Sequence, residues 1–501
     1  FARTGRLGDY YFIAHWFPKI GVLEDDGWNC HQFHAATEFF ADFGVYDVSL
    51  TVPAGWIVGA TGRAVSRTDA AGTTTHRFQQ ADVHDFAWTT SPRFVETTAK
   101  FEEPGLPPVD IRLLMQPEHT DQIERHLAAT RAALKYYGTW FGAYPYGHLT
   151  VVDPVAVVNP DAQGEGTDGM EYPTLVSAGT RYFPPPRSLD PEDVVVHEVG
   201  HQFWYGVVAT NEFEDAWMDE GLTTYSTARV LAEAFPNGFT ATRTYFGGLV
   251  TWPFDDSPWS RDVDGNRLTG FRRVASWEVP SRPSWQYWPG TAGATTYNKT
   301  ALWLATLERH LGWPTMQKIL ATYYARGAFR HPTPDEFFAI ANDVSGRDLT
   351  WFFDAVYRGS ASFDYGVAQV INQPSGTRGF TGDGDDRRYG PGGGTDAVDS
   401  VVVVRRYGEG VFPIDVRVTF ADGGTITEAW DGRARWQTFT YRRGTAVTAV
   451  DVDPDRVLML DVNATNNSWT SAPAARLAAR RWSLRWLTWL EELLLTHAFF
   501  V

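Results

Sequence analysis

The chain has 501 residues, enough for about two to four domains, and its 43% hydrophobic and 21% charged content is that of an ordinary soluble globular protein. A net charge of −17 argues against a nucleic-acid partner. A single cysteine, Cys30, excludes an intrachain disulfide, so redox chemistry does not report the compartment.

Residues 1–118 read as β-rich. Residues 46–52 alternate apolar and polar as a half-buried strand does, and Pro53-Ala54-Gly55 punctuates them. Short runs at 55–60, 73–78 and 109–115 repeat the pattern. The chain opens on Phe1, with no charged-then-apolar leader in view. Beyond 118 the period changes. Ile123, Leu127, Thr130, Ala133, Leu134 and Tyr137 recur at helical spacing up to Gly138, and an apolar strand follows at 149–152. Next comes Gly169-Met170-Glu171-Tyr172-Pro173, in which Glu171 taken alone reads as a surface acid.

The strongest signal lies in 190–234, which reads as two consecutive helices. Asp190 is the expected cap of the first, Pro191 suits its opening turn, and Gly206 is its expected stop. Within it stands His197-Glu198-Val199-Gly200-His201. Four residues return a side chain to nearly the same helix face, so both imidazoles can reach one cation, with Glu198 on the flank of that face to hold a water. Eighteen residues separate His201 from Glu220, in Trp217-Met218-Asp219-Glu220-Gly221 on the second helix, expected at 216–235. Two histidines and a carboxylate leave a fourth zinc position for water, which a catalytic site requires.

Residues 237–296 are irregular and rich in Trp, Pro and Gly; as cleft wall, lid or plain loop packing they stay open. Tyr297-Asn298-Lys299-Thr300 then opens an apolar helix, and helical patterning runs to Tyr357. Residues 373–399, dense in Gly and charge, are expected as a flexible linker; they lack the bidentate acid of a calcium loop. Short strands at 401–404, 414–420, 437–441 and 447–452 predict a small β-sandwich over 400–467. Residues 475–501 predict an amphipathic helix with Arg476, Arg480, Arg481 and Arg485 near its start. Glu491 and Glu492 would each cost about 2.5–3.5 kcal/mol inside a bilayer, which disfavours a span. Docking on the protein and lying at a lipid surface both remain open.

These segments, in this order, resemble the gluzincin pattern of the M1 family of zinc aminopeptidases, and the likeness runs from the first residues to about Asn467. The resemblance implies a multidomain α+β fold: an N-terminal β-sheet domain (1–118, incomplete), a thermolysin-like catalytic domain (119–372), the linker, the sandwich and the terminal helix. It implies one Zn2+ per chain on His197, His201 and Glu220, with Glu198 as general base toward a zinc-bound water. Residues 169–173 are similar to the family's G-x-M-E-N motif, so Gly169, Met170 and Glu171 are expected to bind substrate, with Glu171 accepting from its free α-amino group. Residues 297–300 are similar to its Y-x-K-G start, so Tyr297 is the expected donor to the oxyanion. Three positions depart from the family pattern: Tyr172 and Asp219 where asparagine is usual, and Thr300 where glycine is. The place of the family's substrate-pocket glutamine falls near His15. An upstream portion, with any leader, is expected ahead of this chain; the compartment stays open, an exported or membrane-associated one included. The extended helical domain that closes many members has no counterpart in the pattern, so a more open cleft is expected. The implied activity is hydrolysis of the N-terminal peptide bond of peptides. A zinc endopeptidase of related fold and a non-catalytic binding protein that keeps the fold are the alternatives.

Overall fold

The computed structural model describes the chain apart from residues 1–2, 26, 33, 35–36, 156–168, 181–187, 239–243, 246–249, 252–262, 376–377, 392–396 and 501. Multiple sheets and helices give the mixed α and β architecture expected.

The alternating stretches near the N-terminus form two sheets. One has the order Gly5–Leu7, Tyr10–Ile13, Trp88–Ser91, Ile57–Ala60, and the other pairs Gly44–Pro53 with Thr73–Val83 and Arg63–Ala70. A third sheet positions the chemistry. Val95–Phe101 pairs antiparallel with Val109–Met115, which runs parallel to His148–Val152 and through it to Leu175–Ala178. The two-residue strand Gly169–Met170 closes the sheet, antiparallel to Leu175–Ala178. Its ladder therefore crosses the domain boundary expected at residue 118. Ile111, Leu113, Leu149, Val151 and Val176 are fully buried, the near-continuous apolar pattern of parallel strands covered by helices.

Helix α1 (Ile123–Trp140) and helix α2 (Asp190–His201) share one core with that sheet through Leu127, Leu134, Tyr137, Val195, Val196 and Val199. The Arg125 guanidinium ties α1 to α2 by two bonds to Glu192, at 2.7 and 2.6 Å. Two details of α2 differ from expectation. Asp190 is its first helical residue and accepts from Ser188 Oγ, while Leu189 occupies the cap position with no side-chain bond. The helix also ends at His201 and not at Gly206, and Tyr205, with a φ of 130°, keeps it from resuming before that glycine.

Helix α3 begins at Glu220 and runs to Ala234, after a single 3₁₀ turn at Ala216–Met218. Gly200 lets α2 close on its neighbours: a Cβ there would stand 2.9 Å from Thr223 Cγ2 and 3.0 Å from Tyr137 Oη. Helix α4 (Thr300–Leu311) follows a π-helical turn at Ala294–Lys299, and three further helices, Trp313–Gly327, Pro334–Ser345 and Thr350–Val356, complete the helical layer.

Beyond it, Tyr365–Pro374, Val398–Arg406 and Trp436–Arg443 form one sheet, and Thr425–Trp430, Ile414–Phe420, Val447–Val452 and Ser468–Thr470 another. Tyr365–Pro374 and Val398–Arg406 are paired to their ends, Gln373 with Asp399 and Pro374 with Val398. The Gly-rich stretch 373–399 therefore closes a loop within one sheet instead of joining two domains, and it carries a short hairpin of its own, Arg378–Thr381 with Arg388–Pro391. The chain ends in helix α5 (Ala475–Phe500). No helix among the described residues is long and apolar enough to cross a membrane.

Candidate metal centre

Helical periodicity delivers the pair of imidazoles, and the close crossing of α2 with α3 delivers the carboxylate. His197 Nε2 and His201 Nε2 lie 3.0 Å apart, and each is 3.2 Å from Glu220 Oε2. Donors placed tetrahedrally 2.0–2.1 Å from zinc would be about 3.3 Å from one another, so this triangle fits the ion as it stands. As the first residue of α3, Glu220 sits where the helix dipole favours the ionised form. Burial opposes that ionisation, but the neighbouring His201 and His197 outweigh it and hold the carboxyl well below its usual range.

The histidine ring is aimed from behind. Asp219 Oδ1 lies 2.5 Å from His201 Nδ1, fixing the tautomer whose bare Nε2 faces the centre. Thr223 Oγ1 also reaches that nitrogen, at 3.2 Å. Asp219 was legible in the sequence only as a departure from a motif. Removing its carboxylate by Asp219→Ala is expected to weaken metal affinity about 10–100-fold, with Asp219→Asn losing less because the amide oxygen still accepts from Nδ1. Competition titration against a chelating dye measures both.

Glu198 is 5% exposed and its Oε2 has no partner, while Oε1 lies over the edge strand. Burial, then the charge of Glu171, pushes the Glu198 carboxyl well above the ordinary range. Gly169 is required by this approach: a Cβ there would stand 2.3 Å from Glu198 Oε1. Gly169→Ala is expected to displace the carboxylate and lower kcat about 100-fold with the fold intact, since a shift of ~1 Å at a reacting group costs that much. Steady-state rates and the unfolding temperature together check it.

Glu171, Glu198 and His201 offer donor atoms within 4.8 Å of one another, so the structure brings Glu171 to the centre's rim. Gln202, next to His201, clamps the strand turn that carries it. Its Nε2 donates to Glu171 O at 3.0 Å and Tyr172 O at 3.3 Å, and its Oε1 accepts from Thr174 N at 2.7 Å. No sequence pattern announced this clamp. Tyr172, the departure from asparagine, is buried, its hydroxyl 3.5 Å from His15 Nε2. Met170 is buried against Tyr10, Phe12 and Tyr172 and shapes the strand from behind.

Tyr297 sits in the π-helical turn, and its hydroxyl donates to Glu220 Oε1. Lys299 holds that turn: it is buried and donates to Glu278 O at 3.1 Å and Gly359 O at 3.0 Å. The described part of the irregular region is packed loop at this point, with Glu278 also accepting from Trp288 N at 2.7 Å. Its segments 239–243, 246–249 and 252–262 lie outside the described residues.

Residues 126–356 match the model of the peptidase family M1 domain. Among curated proteins, aminopeptidase RNPEPL1 from Mus musculus and from Homo sapiens are each 42% identical over 53 residues, which is 10% of this chain and 7% of theirs. Among solved structures, Legionella pneumophila aminopeptidase A in complex with aspartic acid superposes with a TM-score of 0.59 at 14% identity, covering 84% of this chain and 44% of that one. An M1 zinc metallopeptidase from Deinococcus radiodurans gives 0.47 at 19% identity, over 64% of this chain and 65% of that one. At such identities the first structural likeness speaks for the fold.

Proposed function

We propose, from the match of residues 126–356 to the model of the peptidase family M1 domain, that the chain is a zinc aminopeptidase acting on peptides with a free N-terminus. The observation that carries the reading is the triangle of His197, His201 and Glu220 with a partnerless carboxylate oxygen of Glu198 beside it. Two neutral nitrogens and one carboxylate suit zinc, and the Asp219–His201 contact supplies the outer partner that such histidines carry. When bound there, zinc would act as a Lewis acid on the scissile carbonyl and lower the pKa of a coordinated water.

The chain's own residues do the rest. Glu198 takes the proton of the attacking water on its carboxylate and passes it to the departing amine nitrogen, a role helped by burial, which makes the carboxylate a stronger base than an exposed one. The Tyr297 hydroxyl leaves Glu220 Oε1 and donates to the substrate oxygen as it becomes anionic. Glu171, held by the Gln202 clamp, pairs with the α-ammonium, which must find a counter-charge when it leaves water. A carboxylate at that distance from the centre counts one residue from the chain end and so makes the enzyme an exopeptidase. Comparison of an aminoacyl amide reporter with its N-acetylated form tests this. Turnover of the free amine alone is the expected result; equal rates would establish an endopeptidase.

Helix α5 is part of the same proposal as a lipid-surface contact. Leu477, Leu487, Leu490 and Leu494 are 45–63% exposed, with Arg476 and Arg480 exposed near its start. Arginines beside exposed leucines on an otherwise acidic protein complement an anionic bilayer. Co-sedimentation with phosphatidylglycerol-containing vesicles, weakened by salt and by Leu487→Glu, is expected; equal recovery with and without vesicles rules it out.

A further inference from the structure

Glu171 leads directly into a tight turn. Tyr172-Pro173-Thr174-Leu175 is closed by Leu175 N, which donates to Tyr172 O at 2.8 Å. Pro173 suits the second position of such a turn, and Thr174 takes the third with a φ of 62°. A positive φ at that position calls for glycine or asparagine. For a β-branched residue it is an outlier, and outliers of this kind persist where the surroundings over-determine them, active sites above all.

Thr174 is fully buried and bonded to three separate parts of the chain. Its N–H donates to Gln202 Oε1 at 2.7 Å, its carbonyl accepts from Thr150 N at 2.9 Å, and its Oγ1 accepts from Gly62 N at 2.8 Å. Gly62 is itself buried and closely packed, since a Cβ there would stand 2.7 Å from Gln79 O. The hydroxyl gives threonine a use that glycine lacks: without it the buried Gly62 N–H loses its acceptor. Gln202, one residue beyond His201, completes the arrangement by gripping Glu171 O and Tyr172 O with the same amide that holds Thr174.

We propose that Thr174 is a positioning residue for amine recognition: its hydroxyl and backbone hold the turn that sets where the Glu171 carboxylate stands relative to the centre. The inference rests on the aminopeptidase reading above and adds to it a residue that acts through Glu171. An α-ammonium paired with one carboxylate is only as well placed as the backbone beneath that carboxylate, and placement decides whether the first peptide bond meets the centre. The three bonds refer the anchor to α2 through Gln202, to the strand His148–Val152 through Thr150, and through Gly62 to the link between Ile57–Ala60 and Arg63–Ala70. Loosening the turn lets Glu171 drift while the triangle of His197, His201 and Glu220 keeps its own supports.

Two competitive inhibitors of the zinc-loaded full chain read the two parts separately. Leucinol has an α-amine and no bond to cleave, whereas acetohydroxamate chelates zinc and has no amine. Thr174→Val keeps the branched shape and loses the acceptor; it is expected to raise the inhibition constant of leucinol about tenfold and to leave that of acetohydroxamate within about twofold. Thr174→Ser keeps the hydroxyl and is expected to hold both constants near wild type. Thr174→Gly, whose backbone accepts the positive φ without strain, guards against a folding defect and is expected to behave as Thr174→Val. In Glu171→Gln, adding Thr174→Val is expected to raise the leucinol constant no further, because both changes act on one contact. A leucinol constant unmoved in the Val and Gly variants, equal rises for both inhibitors, or additive effects in the double variant overturn the inference and leave the aminopeptidase reading standing. Leucinol without effect on the wild type, together with equal turnover of free and N-acetylated reporters, removes that reading and this inference with it.

Discussion

Glu198→Gln is expected to keep its metal and to lose about 10²–10⁴-fold in kcat, the range general-base groups supply, equivalent to ~3–5 kcal/mol of transition-state stabilisation. The amide matches the carboxylate in size and still fits above Gly169, whose missing Cβ makes the room. It cannot take a proton from water and return it. Stability gives a second reading. Glu198 is buried with one oxygen unpartnered and the charge of Glu171 nearby, so replacing it by a neutral group relieves repulsion. Unfolding temperature is therefore expected to hold or rise while turnover collapses. Metal content equal to wild type with wild-type kcat would end the general-base assignment.

The legible part of this site is the part generated by local periodicity. His197 and His201 share a face because the helix repeats every 3.6 residues, and Glu220 could be read beside them because it opens a second helix eighteen residues further on. Ile414–Phe420 was legible for a like reason, alternation between a buried and a more exposed face. What escaped was long-range pairing. The Arg3–Glu38 contact spans 35 positions and Phe39–Glu212 spans 173, and no local pattern encodes either. The edge strand Gly169–Met170 is only two residues long, below what alternation can register. The stretch 373–399 misled because glycine and charge serve a loop between paired strands as well as a linker; only the ladder from Gln373–Asp399 onward tells them apart.

The position of Asp219 shows how function leaves a departure from local rules. A carboxylate there is 0% exposed with Oδ2 unpartnered, a poor arrangement for a side chain judged by stability alone. Glu212, also fully buried, leaves Oε1 unpartnered in the same way. Five carboxylates, Glu171, Glu198, Glu212, Asp219 and Glu220, are thus at most 6% exposed around two imidazoles. Five buried acids packed around two imidazoles are an arrangement that a bound cation would stabilise, which supports the proposed metal site at the donor triangle.

Stripping the metal should therefore unfold the domain earlier as well as silence it. With free zinc near 1,000 times its dissociation constant, binding to the native state alone adds about 4 kcal/mol. For a domain of the matched size, 126–356, each kcal/mol moves the midpoint by about 2–4 °C, so chelation is expected to lower it by ~8–16 °C. The loss should reverse when zinc is restored. In Glu220→Gln the metal-dependent shift should shrink sharply, because one donor of the triangle becomes a neutral amide while the helix around it stays the same. Differential scanning calorimetry with and without chelator, on wild type and variant, separates these outcomes. A midpoint that ignores the chelator in the wild type, with metal analysis showing the ion removed, would mean that the buried acids balance their charge among themselves and that the centre is not a zinc site.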